Sequence, residues 1–288
     1  MPAETLEVGF LNIVATPHPK GVYLRLLNAA AEQPVGFWGQ MKAAITKPIA
    51  LHDDETFQTF QLLIWTEIDP SEPTINKAEL KKAQFPREGR EFSNKYGVNG
   101  RVFYCIFDEL THMLTVELRN EDGQTVSPNR LHRIFTDLLS PEVLGAKSEL
   151  VEVTVIPTDD AISYVLGLKR LDKVEILVKR PNQDDITSET NRVMKDLIEQ
   201  NAKSEKRVVS RQPQTDGIEL SDENATYARV AAHNGHVDSS GLDDDGVHDK
   251  RSTKEVPKIV KRTIAKGITY LAALRNVARE ARASREQL

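Results

Sequence analysis

Apolar positions fall into two periods along the chain. Leu6 to Ala15 is a nearly continuous apolar run halted by Pro17 and Pro19, which predicts a buried strand. After Gly21, Val22, Leu26 and Ala29/Ala30 recur at helical spacing until Pro34. Phe57 to Ile68, rich in aromatic and β-branched residues, predicts a strand ending in the turn Asp69-Pro70-Ser71. The polar stretch 71–99 is expected to be a long loop with one helical turn. Arg101–Asp108 and His112–Arg119 read as an antiparallel hairpin closed by Glu109-Leu110-Thr111. Ser127 and Pro128 open a helix carrying Leu131, Ile134, Phe135, Leu138 and Leu139 inward, with Ser140-Pro141 as its stop.

Between Glu149 and Arg180 the pattern is strand, short helix, strand. Val151, Val153 and Val155 alternate, Ala161, Ile162, Val165 and Leu166 have helical spacing, and Val174, Ile176 and Val178 alternate again. This predicts a βαβ crossover with parallel strands, closed by Pro181. A helix over Thr187 to Asn201 turns Val193, Leu197 and Ile198 inward. Beyond Lys203 the elements shorten. Val208-Val209 and Ile218-Glu219-Leu220 read as short strands, Tyr227–Ala232 runs into a tight turn at His233-Asn234-Gly235-His236, and Asp243–Gly246 marks another. Ser252 and Glu255 have capping-box spacing ahead of a final helix, with Val256, Val260, Ile264, Ile268 and Leu271 as its apolar stripe. Lys258, Arg262 and Lys266 lie opposite. The predicted fold is α+β: a mixed-sheet body over residues 1–200, then a small antiparallel meander and a basic amphipathic helix over 201–288.

Composition sharpens this. Hydrophobic residues are 39% of 288, below the ~45–50% of an average domain, so extended arms are expected beside the core. No apolar run approaches the ~18–20 residues that span a bilayer, and Met1 to Ala15 lacks leader features, which points to a cytoplasmic protein. The single Cys105 excludes an internal disulfide framework and multi-cysteine metal sites. The net charge of −5 conceals an asymmetry: from Arg251 onward ten Lys/Arg face three Glu, a net of +7 that leaves −12 on residues 1–250. Such a basic segment suits a phosphate backbone, an acidic partner, or the chain's own acidic body.

Other chemistry reads weakly. His233, His236, Asp238, Asp243, Asp244, Asp245, His248 and Asp249 crowd together, but their order is that of turns and matches no calcium loop or helical zinc pair. Asp69 with Glu79-Leu80-Lys81 meets the minimal text of a metal-dependent nuclease, yet in a polar stretch where buried strand ends are needed. Cys105 sits in an apolar strand as a small hydrophobe, and Trp38, Trp65, Phe57 and Phe60 are expected in the core. Phosphate-binding loops, dinucleotide turns, His-Glu-x-x-His and nucleophile elbows are absent, and no metal or cofactor is expected.

The stretches VEVTVIPTDDAISYVLGLKRLDKVEILVKRPNQDD and NGHVDSSGLDDDGVHDKRSTKEVPKIV resemble the central and C-terminal signature of a bacterial family akin to the RexA-type phage-exclusion proteins. The resemblance implies a homodimer that binds duplex DNA without marked sequence preference and acts in anti-phage defence, beside a membrane effector encoded nearby. The residues placed on phosphates here are Lys258, Lys261, Arg262, Lys266, Arg275 and Arg279, with Arg192, Lys195, Lys203, Lys206 and Arg207 as the next basic cluster. The alternatives are a structural or interaction subunit that binds an acidic partner, and a metal-dependent nuclease.

Overall fold

A computed structural model describes residues 5–145, 148–180 and 188–285. In chain order the first part holds β1 (Thr5–Thr16), α1 (Val22–Ala30), β2 (Val35–Trp38), β3 (Met41–Ile45), β4 (Ile49–Leu51), β5 (Asp54–Thr66), β6 (Thr74–Asn76), β7 (Lys81–Ala83), α2 (Arg87–Lys95), β8 (Val98–Asp108) and β9 (Met113–Arg119). There follow α3 (Pro128–Leu138), α4 (Pro141–Leu144), β10 (Leu150–Val155), α5 (Ala161–Leu166), β11 (Arg170–Lys179), α6 (Ser188–Glu199), β12 (Ser204–Ser210), α7 (Asp222–His233), β13 (Gly235–Leu242), β14 (His248–Ser252), β15 (Ile259–Thr263) and α8 (Tyr270–Arg285).

The α+β class holds, and the main sheet is antiparallel, not mixed. Nine strands run in the order β10-β1-β9-β8-β5-β3-β2, with β15 also on β1 and β4 also on β5. β10 and β15 lie end to end along one edge of β1, pairing Leu11–Thr16 and Thr5–Gly9 respectively. β1 is apolar throughout because both of its faces are covered. Leu11 and Ile13 join Tyr23, Leu27, Phe103 and Phe135 under α1 and α3, whereas Leu6, Val8 and Phe10 join Phe57, Leu274 and Val277 under α8. The Ser127 side chain accepts from the Arg130 N–H and caps α3 as expected.

A second sheet runs β12-β11-β13-β14, with one face packed on α6 and α7 through Val174, Ile176, Val178, Val193, Leu197 and Tyr227. The expected βαβ crossover is therefore corrected. The order strand, helix, strand is present, but β10 joins the first sheet and β11 the second, both by antiparallel pairing. Alternation reports a half-buried strand without naming its partner. The expected boundary at residue 200 likewise runs through the second layer, since β11 pairs with β12 and β13, while β15 and α8 return to the first sheet. At the junction, Asn12 Nδ2 of β1 donates to Asn234 Oδ1 at the end of α7 (3.1 Å).

Several local expectations change. Stretch 71–99 carries the hairpin β6–β7 and the helix α2. Tyr227–Ala232 belongs to α7, so Asn234-Gly235 ends a helix and makes no hairpin turn. Gly235 has φ +154°, and a Cβ there would lie 2.0 Å from the Leu177 carbonyl oxygen, so close backbone approach requires glycine. Residues 218–220 form no strand, Ile198 is exposed, and Pro181 lies outside the described residues. The largest correction is at the C-terminus. The Ser252–Glu255 capping box is present but closes a single 3₁₀ turn over Thr253–Glu255. Pro257 lacks an N–H and cannot continue a helix, so the chain extends into β15, and α8 begins only after Gly267. Val256, Val260, Ile264, Ile268 and Leu271 are thus not one helical stripe.

Candidate functional site

The basic residues expected on one helix face are dispersed. Lys258 precedes β15, Lys261 and Arg262 lie on it, Lys266 sits in the turn before α8, and Arg275 and Arg279 lie on α8. Most are committed to carboxylates of the same chain. Lys258 pairs with Asp159 (2.9 Å), Lys261 with Glu7 (3.6 Å) and Arg262 with Glu280 (2.5 Å). Arg275 (3.3 Å) and Arg279 (2.7 Å) share Asp53. Lys266 is exposed and has no ion pair among the described residues. The capping-box signal misplaced these side chains, because its spacing does not distinguish one turn from four.

Arg282, absent from the expected set, makes the densest contacts. Its Nη1 donates to Asp54 (3.0 Å), its Nε (2.7 Å) and Nη2 (2.5 Å) donate to Asp108, and its Nη2 also donates to Thr56. The guanidinium lies 3.7 Å from the centre of the Phe57 ring. Asp108 is only 2% exposed, so this arginine anchors α8 on the sheet. A cleft of about 1030 Å³ opens where the two layers meet, floored by Phe10, Met113 and Ile156, and its rim carries the neutralised pairs Lys258–Asp159 and Arg262–Glu280.

Surplus cations gather elsewhere, on the face of the second sheet turned away from α6 and α7. Strand alternation sends Val174, Ile176 and Val178 into the core, so Lys173, Glu175 and Lys179 project from the other side. Lys173 and Lys206 (2.5 Å) both pair with Glu175, and Lys179 and Lys203 (2.8 Å) both pair with Glu152 of β10. Two ammonium groups straddle each carboxylate, leaving one positive charge per cluster. Hydrogen bonds from Lys173 and Lys206 hold the Glu175 carboxyl at about 2, and those from Lys179 and Lys203 outweigh burial to keep Glu152 below its usual range. His236 of β13 stands beside Asp238 (3.4 Å), and its pKa is lowered first by burial and then by Lys254, which outweighs Asp238, with Lys179 and Lys206 adding to it. Five lysines against Glu152, Glu175 and Asp238 make this a positive patch with a neutral imidazole at its middle.

The second expected cluster is only partly there. Lys203 and Lys206 belong to the patch, but Lys195 pairs with Glu199 on α6. Arg207 turns to the other face, bonded to Glu205 and Glu223 and 3.3 Å from the Tyr227 ring centre. Asp243 serves its turn, accepting from the N–H groups of Asp245 (3.0 Å) and Val247 (2.8 Å), and no group of three or more metal-ligating side chains occurs among the described residues. Asp69 accepts from Ser71 N–H and Oγ at a turn, while Glu79 and Lys81 lie on the β6–β7 hairpin, away from any buried strand end. Cys105 is fully buried, and burial pushes its thiol well up. Phe57 and Phe60 are core as expected, but Trp38 is 61% exposed with Arg130 over its ring, and Trp65 is half-buried, donating to Glu67 (2.9 Å).

No helix among the described residues is long and apolar enough to cross a membrane. The chain belongs to a family described as a domain of unknown function (DUF4747), whose model matches residues 4–279. No curated protein matches the chain.

Proposed function

We propose that the chain is a non-enzymatic, DNA-engaging sensor that binds the phosphates of duplex DNA without marked sequence preference. The observation that carries this reading is the lysine surplus on the open face of the second sheet, where Lys173, Lys206, Lys179 and Lys203 outnumber the carboxylates they touch two to one. Ammonium groups neutralise phosphates as point charges, and without a helix or ribbon aimed at base edges they read no sequence. The place in phage exclusion, as a homodimer and beside a membrane effector, follows from the resemblance to the RexA type, and the cytoplasmic placement from the sequence pattern. The binding surface of this proposal is the second sheet, with Lys254 and His236, and of the original six cations Lys266 alone has no ion pair among the described residues.

A duplex of random sequence titrated with the protein across ionic strength tests the proposal. The logarithm of affinity is expected to fall linearly with the logarithm of salt concentration, equally for unrelated sequences. Absence of binding at low salt, or affinity that ignores salt, overturns it. The second reading, a structural or interaction subunit, draws on the same pairs that weaken the C-terminal segment as a phosphate site: the segment already holds an acidic partner, which is its own body. Binding of an acidic polypeptide in preference to DNA supports that second reading.

A further inference from the structure

Among the described residues, β12 is an edge strand that pairs with β11 alone. Its seven residues pair with β11 without a bulge, Ser210 opposite Lys173 through Ser204 opposite Lys179, and contain neither proline nor glycine. Its side chains alternate between exposed and half-buried, and Val208 is 49% exposed. Two other edges carry the usual protection. β14 is five polar residues, and β2 is four residues interrupted by a bulge against β3. The charges on β12 are satisfied within the chain, Lys206 by Glu175 and Arg207 by Glu205 and Glu223.

We infer that β12 pairs antiparallel with β12 of a second copy of this chain, joining two four-stranded sheets into one. Overlap and charge together select the register: an axis near the middle of the seven residues pairs most of the strand. A two-fold axis perpendicular to the sheet keeps each side chain on its own face, so the axis must pass through one residue of the strand. Centred on Lys206 or Arg207 it opposes like charges directly, which is destabilising. Centred on Val208 it sets Val208 on Val208, Lys206 on Ser210, Arg207 on Val209, and Glu205 on Arg211 of the second copy. This register covers the exposed valine and matches opposite charges. The same axis turns both lysine clusters toward one side, with the two Lys206 positions about 14 Å apart from strand rise and spacing. The pairing stands without nucleic acid; its consequence, a doubled phosphate surface, rests on the DNA reading.

The experiment uses the full chain without DNA first. Light scattering at about 50 μM is expected to give twice the 32.3 kDa of one chain. Val208→Cys, oxidised with glutathione disulfide as the electron acceptor, is expected to cross-link chain to chain, because residues on the axis lie about 5 Å apart. Ser204→Cys, whose copies lie about 27 Å apart in this register, is expected not to. Buried Cys105 does not compete. Val208→Lys sets two ammonium groups face to face and is expected to weaken the dimer at least 30-fold with an unchanged circular dichroism spectrum. A monomeric native chain, a Val208→Lys dimer of undiminished strength, or cross-linking equal at positions 204 and 208 overturns the pairing. A β12 dimer that fails to bind DNA supports the pairing and overturns only the nucleic-acid reading.

Discussion

From Lys258 to Arg282, six cations meet six carboxylates of the same chain: Asp159, Glu7, Glu280, Asp53, Asp54 and Asp108. In the second sheet, four lysines meet two. The richer region in the sequence is thus the poorer one in available charge. Its pairs also differ among themselves: those of Lys258, Lys261 and Arg262 are exposed enough for water and salt to screen, whereas Arg282 is sunk against Asp108. Formal charge counted along a chain measures what a segment carries, and only its neighbours decide how much of that reaches a ligand.

The largest effect expected is from Arg282→Ala. It leaves Asp108 buried without its cation and is expected to lower unfolding free energy by about 3–5 kcal/mol in urea titrations. Arg282→Lys, which cannot reproduce the forked contact to Asp54 and Asp108, is expected to restore only part. A loss below about 1 kcal/mol for alanine means that the α8 anchor is as weak as the exposed pairs, and the contrast within the C-terminal segment disappears.

Glu117 supplies a case with no ion pair among the described residues. Arg119, two residues along the same strand, goes to Glu7, one of the Glu117 oxygens is buried without a hydrogen-bond partner among the described residues, and burial raises the carboxyl to about 7. Between the ordinary carboxyl range and about 7 the folded chain holds a proton that the unfolded chain has lost. Stability therefore falls as pH rises through this window, by about 3 kcal/mol in total. Glu117→Gln is expected to flatten this slope and to be more stable than the native chain at pH 8. Equal pH slopes in the two proteins place the titration elsewhere.

On the lysine face, reversing Lys203, Lys206 and Lys254 to Glu is expected to weaken duplex binding about 100-fold at low salt and to reduce the salt slope by about 3. The smallest effect completes the contrast. Lys258, Arg262 and Lys266 reversed together are expected to change DNA affinity less than about 3-fold and stability by no more than about 1 kcal/mol, because the ion pairs of Lys258 and Arg262 are exposed and screened and Lys266 has none among the described residues. Should this second triple variant abolish binding while the first leaves it intact, the two regions exchange roles and the proposed surface moves to the C-terminal segment.

What the sequence by itself determined is local. The continuous run Leu6–Ala15, the hairpin of β8 and β9, the Ser127-capped α3, the Asp243 turn and the α+β class follow from side-chain period, caps and turn residues, each acting within a few positions of itself. Pro257 was also legible, and it marks where the expected final helix fails. Tertiary structure decided which sheet each strand joined and which charges were cancelled. Val151, Val153 and Val155 alternate like Val174, Ile176 and Val178, so nothing local separates β10 from β11; the choice lies in the distant strands β1 and β13. Lys258 and Lys203 look alike in the chain, yet Lys258 meets Asp159 alone, 99 residues away, while Lys203 shares Glu152 with Lys179. Charge acts through space with a reach of a few ångströms, so the difference in pairing between two lysines is settled by the fold and is invisible in their order.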